Sequence, residues 1–205
     1  MSSRDSTSPF NSADTAPGDL TAGAGAPTLT PPDSAVRIAG PLTLRDGTRL
    51  YQRAIRPDDA PRLQAFHTRL SRNAVFYRFC GLLPDLPDEL ARRMSLVDYE
   101  DRMAIAITAG AGEDEPIIAV GRYERRTPGA AEFALAVEDR WQGRGIGPQL
   151  LSALADYARE RGILTFIAEV LYDNGRMLSL LRHSSFPTTF QFHDGRVVGL
   201  LDISG

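Results

Sequence analysis

The chain has 205 residues, 42% of them hydrophobic, and a formal net charge of −3. That suits one globular domain plus a tail, and the slight acidity gives no general attraction to nucleic acid or to an anionic membrane surface. No apolar run approaches the roughly 20 residues of a membrane span, nothing at the N-terminus reads as a secretory signal, and the single cysteine, Cys80, excludes an intrachain disulfide framework, so a cytoplasmic protein is expected.

Residues 1 to 35 are rich in Ser, Thr, Ala, Gly, Pro and Asp, with Phe10, Leu20 and Leu29 as their large apolar side chains. Such a segment cannot bury enough surface to offset its ordering entropy, and disorder is expected there. The domain is expected over residues 40–205. Thr43 to Leu50 reads as a short hairpin turning at Asp46-Gly47, and Leu50 to Arg56 as the first strand of the domain. Pro57-Asp58-Asp59 starts a helix that Asp58 can cap, with Leu63, Phe66 and Leu70 at helical spacing. Ser71 caps a second helix through Phe79, stopped by Gly81, and Pro87-Asp88-Glu89 opens a third through Met94. Strands follow at Met103 to Thr108, Ile117 to Arg125 and Ala131 to Val137, the first two separated by an acidic loop and the last two by the turn Thr127-Pro128-Gly129. Pro148 to Arg161 is an amphipathic helix with Leu150, Leu151, Leu154, Tyr157 and Ala158 on one face. Thr165 to Leu171 is a strand, Asn174 begins a helix to about His183, and a hairpin around Asp194-Gly195 closes the chain.

The run Gln142-Gly143-Arg144-Gly145-Ile146-Gly147-Pro148 joins a buried strand to the long amphipathic helix. A glycine-rich turn there lets several backbone N–H groups point at one spot, and the helix N-terminus adds partial positive charge. Together they suit a phosphate or pyrophosphate. A P-loop is excluded, because the chain contains no lysine. The dinucleotide-binding fingerprint is a poor match too, because these glycines come late in the chain.

Gln/Arg-x-x-Gly-x-Gly/Ala between strand and helix resembles the acyl-CoA loop of the GCN5-related N-acetyltransferases (GNAT), and the element order from about Gly40 onward is similar to theirs. Thr48-Arg49-Leu50, Arg53 to Asp58, Leu70-Ser71, Tyr77-Arg78-Phe79-Cys80-Gly81, Ala131-Glu132-Phe133-Ala134 and Asn174-x-x-Met177-Leu178 resemble the bacterial protein lysine acetyltransferases of the Pat type within that superfamily. The resemblance implies an α+β (mixed α/β) fold: a central mixed, mostly antiparallel sheet, splayed between the fourth and fifth strands and flanked by helices. It implies acetyl-CoA as co-substrate and no metal. Residues 142–148 would wrap the pyrophosphate, Leu135, Ala136 and Val137 would offer backbone groups to the pantetheine, and Asn174 would contact the cofactor as well as cap its helix.

Acyl transfer to an amine needs that amine neutral, yet a lysine near pKa 10.4 is almost wholly protonated at neutral pH. A carboxylate can take the proton. Two stand inside apolar runs, Glu132 and Glu169, where an unpaired charge costs several kcal/mol. The Pat resemblance makes Glu132 the base; Glu169 matches the position used by ribosomal-protein N-terminal acetyltransferases. A salt bridge to arginine is the plain alternative for each. The tyrosine that many members use as general acid is replaced by Leu181, leaving Tyr172, a water, or unaided departure of the thiolate. His67, His183 and His193 share no ligand spacing, and Trp141 reads as a packing residue.

The expected acceptor is a primary amine, foremost a protein lysine, for example on an acyl-CoA synthetase. A small amine is the second reading, and a non-catalytic acyl-CoA-binding sensor the third. Both carboxylates held in salt bridges would favour the sensor. All 23 basic residues are arginine; codon bias explains this most simply, and a lysine-acylating enzyme would also gain by presenting no lysine of its own.

Overall fold

The computed structural model describes residues 30–110 and 115–205. A first turn of helix, α1 (Asp33–Val36), precedes the hairpin of β1 (Gly40–Thr43) and β2 (Arg49–Ala54). Gly47 takes φ 82° at its turn, and Asp46 accepts from the Thr48 N–H at 3.0 Å, the local bond that makes Asp-Gly a turn. A 3₁₀ turn at Pro57–Asp59 leads into α2 (Ala60–His67), followed by α3 (Arg72–Phe79) and α4 (Asp88–Ser95). Then come β3 (Arg102–Ala109), β4 (Ile117–Thr127) and β5 (Ala130–Val137), the long helix α5 (Ile146–Arg159), β6 (Thr165–Leu171), α6 (Gly175–Arg182), and the hairpin of β7 (Thr188–His193) and β8 (Arg196–Asp202).

The strands form one sheet in the order β1-β2-β3-β4-β5-β6-β8-β7. Every neighbouring pair is antiparallel except β5 and β6. These two run parallel and pair only at Ala130–Glu132 against Thr165–Ile167, then separate. Each has a full partner on its outer side, β4 for β5 and β8 for β6, so the inner edges beyond residues 132 and 167 are left without a ladder. Stacked Phe133 and Phe166 rings, 5.1 Å between centroids, hold the join. The expected splay is therefore present; the β1 hairpin strand makes the parting strands the fifth and sixth of the sheet.

Helix α5 lies on one face because Leu150, Leu151, Leu154, Ala155, Tyr157 and Ala158 recur at helical spacing and are buried. Each large apolar side chain so buried contributes about 1.5–3 kcal/mol. Gly121 on β4 keeps that contact close, since a Cβ there would lie 2.9 Å from Leu154 Cδ1 and from Leu135 Cδ2. Helices α2 to α4 belong to the other face, on the side of the cleft that the parted strands open. The carboxylate that organises the start of α2 is Asp59, one residue beyond the expected Asp58. It accepts two hydrogen bonds from the Arg53 guanidinium at 2.6 and 2.7 Å and a third from the Arg56 N–H. Burial pushes the Asp59 carboxyl up, but the bonds and charge of Arg53, with Arg56 and Arg62, more than offset this and hold it below its usual value. Ser71 caps α3 as expected, and the residue that ends that helix is Cys80, left-handed at φ 51°.

Part of the segment expected to be disordered has a defined structure: α1 is helical and Ala35 is 1% exposed within the core. Residues 1–29, and most of the acidic loop, lie outside the described residues. Arg161 donates to Ser34 Oγ at 2.7 Å, tying α1 to the end of α5. Deleting residues 1–29 is expected to leave melting temperature and turnover nearly unchanged, because that sequence offers so little apolar surface. Deleting through Ala35 is expected to lower the melting temperature, since a core residue and the Ser34 bond, worth about 0.5–1.5 kcal/mol, go with it. Calorimetry of the two truncations checks this; equal losses in both would contradict it. No helix among the described residues is long and apolar enough to cross a membrane.

Candidate active site

The loop between β5 and α5 has the geometry an anion requires. Gly143 and Gly145 take φ 75° and 90°, conformations that L side chains rarely adopt. The N–H groups of Gly143, Arg144, Gly145, Ile146 and Gly147 donate to no backbone carbonyl among the described residues, and Pro148 has no N–H to satisfy. A Cβ on Gly143 or Gly145 would meet open space, so nothing blocks approach from the front. Gly147 has a different role: its missing Cβ leaves room for Leu180 of α6, whose Cδ1 would lie 2.7 Å away. Gln142 points inward, its Nε2 donating to the Val137 carbonyl at 2.8 Å, which ties the loop to the end of β5. Arg144 reaches back across the chain, its Nε donating to Asp46 at 3.1 Å and Nη2 to Thr48 Oγ1 at 2.7 Å. These bonds hold the Asp46 carboxyl far below the usual carboxylate range. The Arg144 guanidinium also lies 4.6 Å from the Trp141 ring centroid. Trp141 thus packs under the loop, and its Nε1–H finds no acceptor among the described residues. Open N–H groups on a positively polarised helix start fit the pyrophosphate of an acyl-CoA, and residues 142–148 are those that would hold it.

The loop opens into a cleft of about 2300 Å3 that follows the gap between β5 and β6. This exceeds the ~300–1,000 Å3 of an ordinary small-ligand pocket and leaves room for a long ligand together with an acceptor. The Glu138 N–H donates to Ile118 of β4, so by the antiparallel alternation Ala136 and Ala134 also bond to β4, while Leu135 and Val137 turn their main chain toward the gap. Of the three expected strand contacts, Leu135 keeps its backbone groups free of β4, Val137 gives its carbonyl to Gln142, and Ala136 offers the cleft its methyl rather than its backbone. Asn174 does what a cap does, accepting from the Met177 N–H at 3.1 Å, and it also lines the cleft.

Both candidate carboxylates line the cleft, and both are ion-paired. Glu132 pairs with Ile167 across the join, and Glu169 lies two residues further along β6. Arg126 donates to Glu132 from Nε at 2.9 Å and Nη2 at 2.6 Å. Arg196 donates to Glu169 at 3.0 Å. Both Arg126 bonds fall on Oε2 of Glu132, its Oε1 accepts none from the described residues, and the side chain keeps 35% exposure against 17% for Glu169. Burial works against the Arg126 charge, but the bond and attraction to Glu132, then Glu124 and Glu169, raise its pKa above the usual arginine value.

Helix α3 walls the cleft, a role the sequence did not reveal. Its first end is held by Asp139, which accepts from the Ser71 N–H at 2.9 Å and from Ser71 Oγ at 2.7 Å. Its last turn reaches across, the Tyr77 hydroxyl donating to the Asp173 carbonyl at 3.4 Å. Tyr77 therefore stands in the cleft, whereas Leu181 is 1% exposed in the core and Tyr172 is 70% exposed outside. The histidines are apart: His67 bonds the Leu83 carbonyl, His183 that of Ser179, and His193 pairs with Asp194. Among the described residues no group of His, Cys, Asp and Glu could hold a metal ion.

Residues 73–186 match the model of the acetyltransferase (GNAT) family, and the chain belongs to that family. It is 34% identical over 143 residues to acetyltransferase Pat of Mycolicibacterium smegmatis, across 69% of this chain and 42% of that protein. It is 27% identical over 112 residues to the L-methionine sulfoximine/L-methionine sulfone acetyltransferase of Pseudomonas aeruginosa, across 52% of this chain and 65% of that one. It thus spans less than two thirds of the length of either curated relative. The solved GNAT domain of S. lividans PAT superposes with a TM-score of 0.74 at 35% identity, covering 81% of this chain and 97% of that one. A cAMP-binding acyltransferase from Mycobacterium smegmatis superposes with a TM-score of 0.57 at 27% identity, covering 83% of this chain and 49% of its own.

Proposed function

We propose that the protein is an acetyl-CoA-dependent N-acetyltransferase that moves an acetyl group to a primary amine, foremost a protein lysine, by direct transfer. The observation that carries this reading is the row of undonated N–H groups at residues 143–147, placed at one end of a cleft along the parted strands. Acetyl-CoA supplies the activated acyl group. Residues 142–148 hold its pyrophosphate, and the main chain of Leu135 lies where the pantetheine amides would pass. Glu132 takes the proton that the ammonium gives up, through its unbonded Oε1 or a water. The neutral amine then attacks the thioester carbonyl carbon, so that the C–N bond forms as the C–S bond breaks. The thiolate needs little help to leave, a thiol of pKa about 8.5 being a fair leaving group. The second proton on the nitrogen passes to the departing thiolate, directly or relayed through the Tyr77 hydroxyl, which lines the cleft.

The lysine acceptor rests on the Pat resemblance and on the large, open cleft. Small amines remain the second acceptor class, since one relative is named for amino-acid derivatives. The sensor reading is favoured by one specific observation, that Glu132 and Glu169 are both ion-paired. The experiment that separates the three is incubation with labelled acetyl-CoA, lysate proteins and an amine panel. Label on protein lysines supports the first reading, label on small amines alone the second, and binding of acetyl-CoA with no transfer at all the third.

A further inference from the structure

Arg78, in the last turn of α3, is a half-buried guanidinium with no hydrogen-bond acceptor and no ion pair among the described residues. Its central carbon lies 4.9 Å from the centroid of the Phe79 ring. Three of the six other arginines that line the cleft are ion-paired: Arg126 with Glu132, Arg144 with Asp46, Arg196 with Glu169. A cationic group withdrawn from water without a partner is costly, and the cost falls when an anion arrives. Burial pushes the Arg78 guanidinium below its usual value, and attraction to Glu132 only partly opposes this.

The neighbourhood of Arg78 makes its lack of a partner sharper. Arg122, on the face of β4 that α4 covers, donates to the Met94 carbonyl at 3.2 Å and is close enough to repel Arg78. Its guanidinium is pushed down to about 9, first by burial and next by that repulsion. Two like charges held close raise the energy of the empty site, Glu132 and Glu124 offset this only in part, and a further anion lowers it. The cavity on the inner side of Arg78 is about 20 Å3, room for one water, and is walled mainly by carbon from Phe66, Leu70, Met94 and Val120, with His67 as its other polar side chain. The open side is the main cleft, which Arg78 also lines. Glu132 lines the same cleft, so Arg78 shares with the proposed base the space into which the acceptor amine must come.

We propose that Arg78, backed by Arg122, receives a carboxylate carried by the acceptor close to its amine, making this an enzyme for acceptors with an adjacent negative charge. The inference rests on the acetyltransferase reading and narrows its acceptor. The carboxylate has two possible sources: the α-carboxylate of a free amino acid, or an Asp or Glu side chain beside the target lysine of a protein. A bare polyamine or a lysine in a basic segment would be a poor acceptor, since its further cations would meet Arg78 rather than a carboxylate.

The test titrates the CoA-saturated protein, by calorimetry, with matched acetylated products. One arm compares N-acetylmethionine with N-acetylmethioninamide. The other compares peptides in which acetyl-lysine is flanked by Glu or by Gln. In at least one arm the carboxylate member is expected to bind about tenfold tighter or more, the scale of one hydrogen bond to a charged group, and that arm identifies the source. Arg78→Met is expected to bring the ratio to about one, while Arg78→Lys, which keeps the charge, retains part of it; the lysine variant decides the matter if the methionine variant does not fold. Equal binding within both pairs overturns the proposal, as does a preference that survives Arg78→Met. A preference that appears only between succinyl-CoA and propionyl-CoA overturns it too, because the carboxylate would then belong to the donor. If acetyl-CoA itself causes no melting shift, the reading of the cleft fails instead, which separates the two failures.

Discussion

Glu132→Gln is expected to lower kcat/KM by about 10²–10⁴-fold, the usual size of a general-base effect, while acetyl-CoA affinity stays nearly the same. Glutamine keeps the shape and can still accept from Arg126, so the hairpin of β4 and β5 is not disturbed, but it cannot take a proton. Glu132 is better placed than Glu169 for this work. It keeps twice the exposure, 35% against 17%, and its Oε1 accepts no bond from the described residues while both Arg126 bonds converge on Oε2. The loss should shrink as pH rises toward the amine pKa of about 10.4, because the fraction of acceptor already neutral grows and needs no base. Glu169→Gln should lower kcat/KM less. If Glu169→Gln is the more damaging change, and its defect alone is rescued at high pH, the base stands on the β6 side of the gap. If neither variant loses anything because the parent transfers nothing, the ion pairs are the whole story and the protein is a sensor.

Gly145→Glu is expected to abolish stabilisation by acetyl-CoA. Three effects act in the same direction. Gly145 has φ 90°, which strains any residue with a Cβ. Its Cβ would project into open space, so the new side chain faces the approach to the loop rather than the core. The added carboxylate puts negative charge where the undonated N–H groups and the α5 dipole would meet the pyrophosphate. Gly145→Ala separates the causes: it brings the strain without the charge, and is expected to weaken binding less. A Gly145→Glu variant that melts as the parent does and still shifts with acetyl-CoA would contradict the placement of the pyrophosphate on this loop.

The order of elements and the glycine-rich turn from strand to helix were legible because each has a local cause, while the parting of two parallel strands was expected from the family resemblance alone. Alternating apolar residues, the Asp46-Gly47 turn, the Ser71 and Asn174 caps and the helical spacing of Leu150, Leu151 and Leu154 act within a few residues. What escaped the sequence depends on distant partners. Asp58 and Asp59 look equivalent in the chain, and only the approach of Arg53 selects Asp59 as the residue that organises the turn. Ala35 reads as tail, yet α5 supplies the surface and the hydrogen bond that recruit it. Arg126 was not distinguishable from the other arginines as the partner of Glu132, because the pairing runs across a hairpin. Tyr77 and Arg78 lay within a motif that the family resemblance picked out, but their place in the cleft follows from α3 being anchored at Asp139 and Asp173, contacts of long sequence separation. The Leu181 departure was legible, and its burial confirms that no general acid acts from that position.

The measurement that bears most directly on the central claim is the melting temperature of the intact chain against acetyl-CoA and CoA concentration. A ligand that binds the folded state alone, present at a hundred times its Kd, stabilises it by about 2.7 kcal/mol. A melting temperature that climbs with either ligand, and fails to climb with an anion such as free phosphate at the same concentration, is the expected result. No shift with millimolar acetyl-CoA or CoA would contradict the account, since the open N–H groups of residues 143–147 and the cleft beyond them would then hold something else.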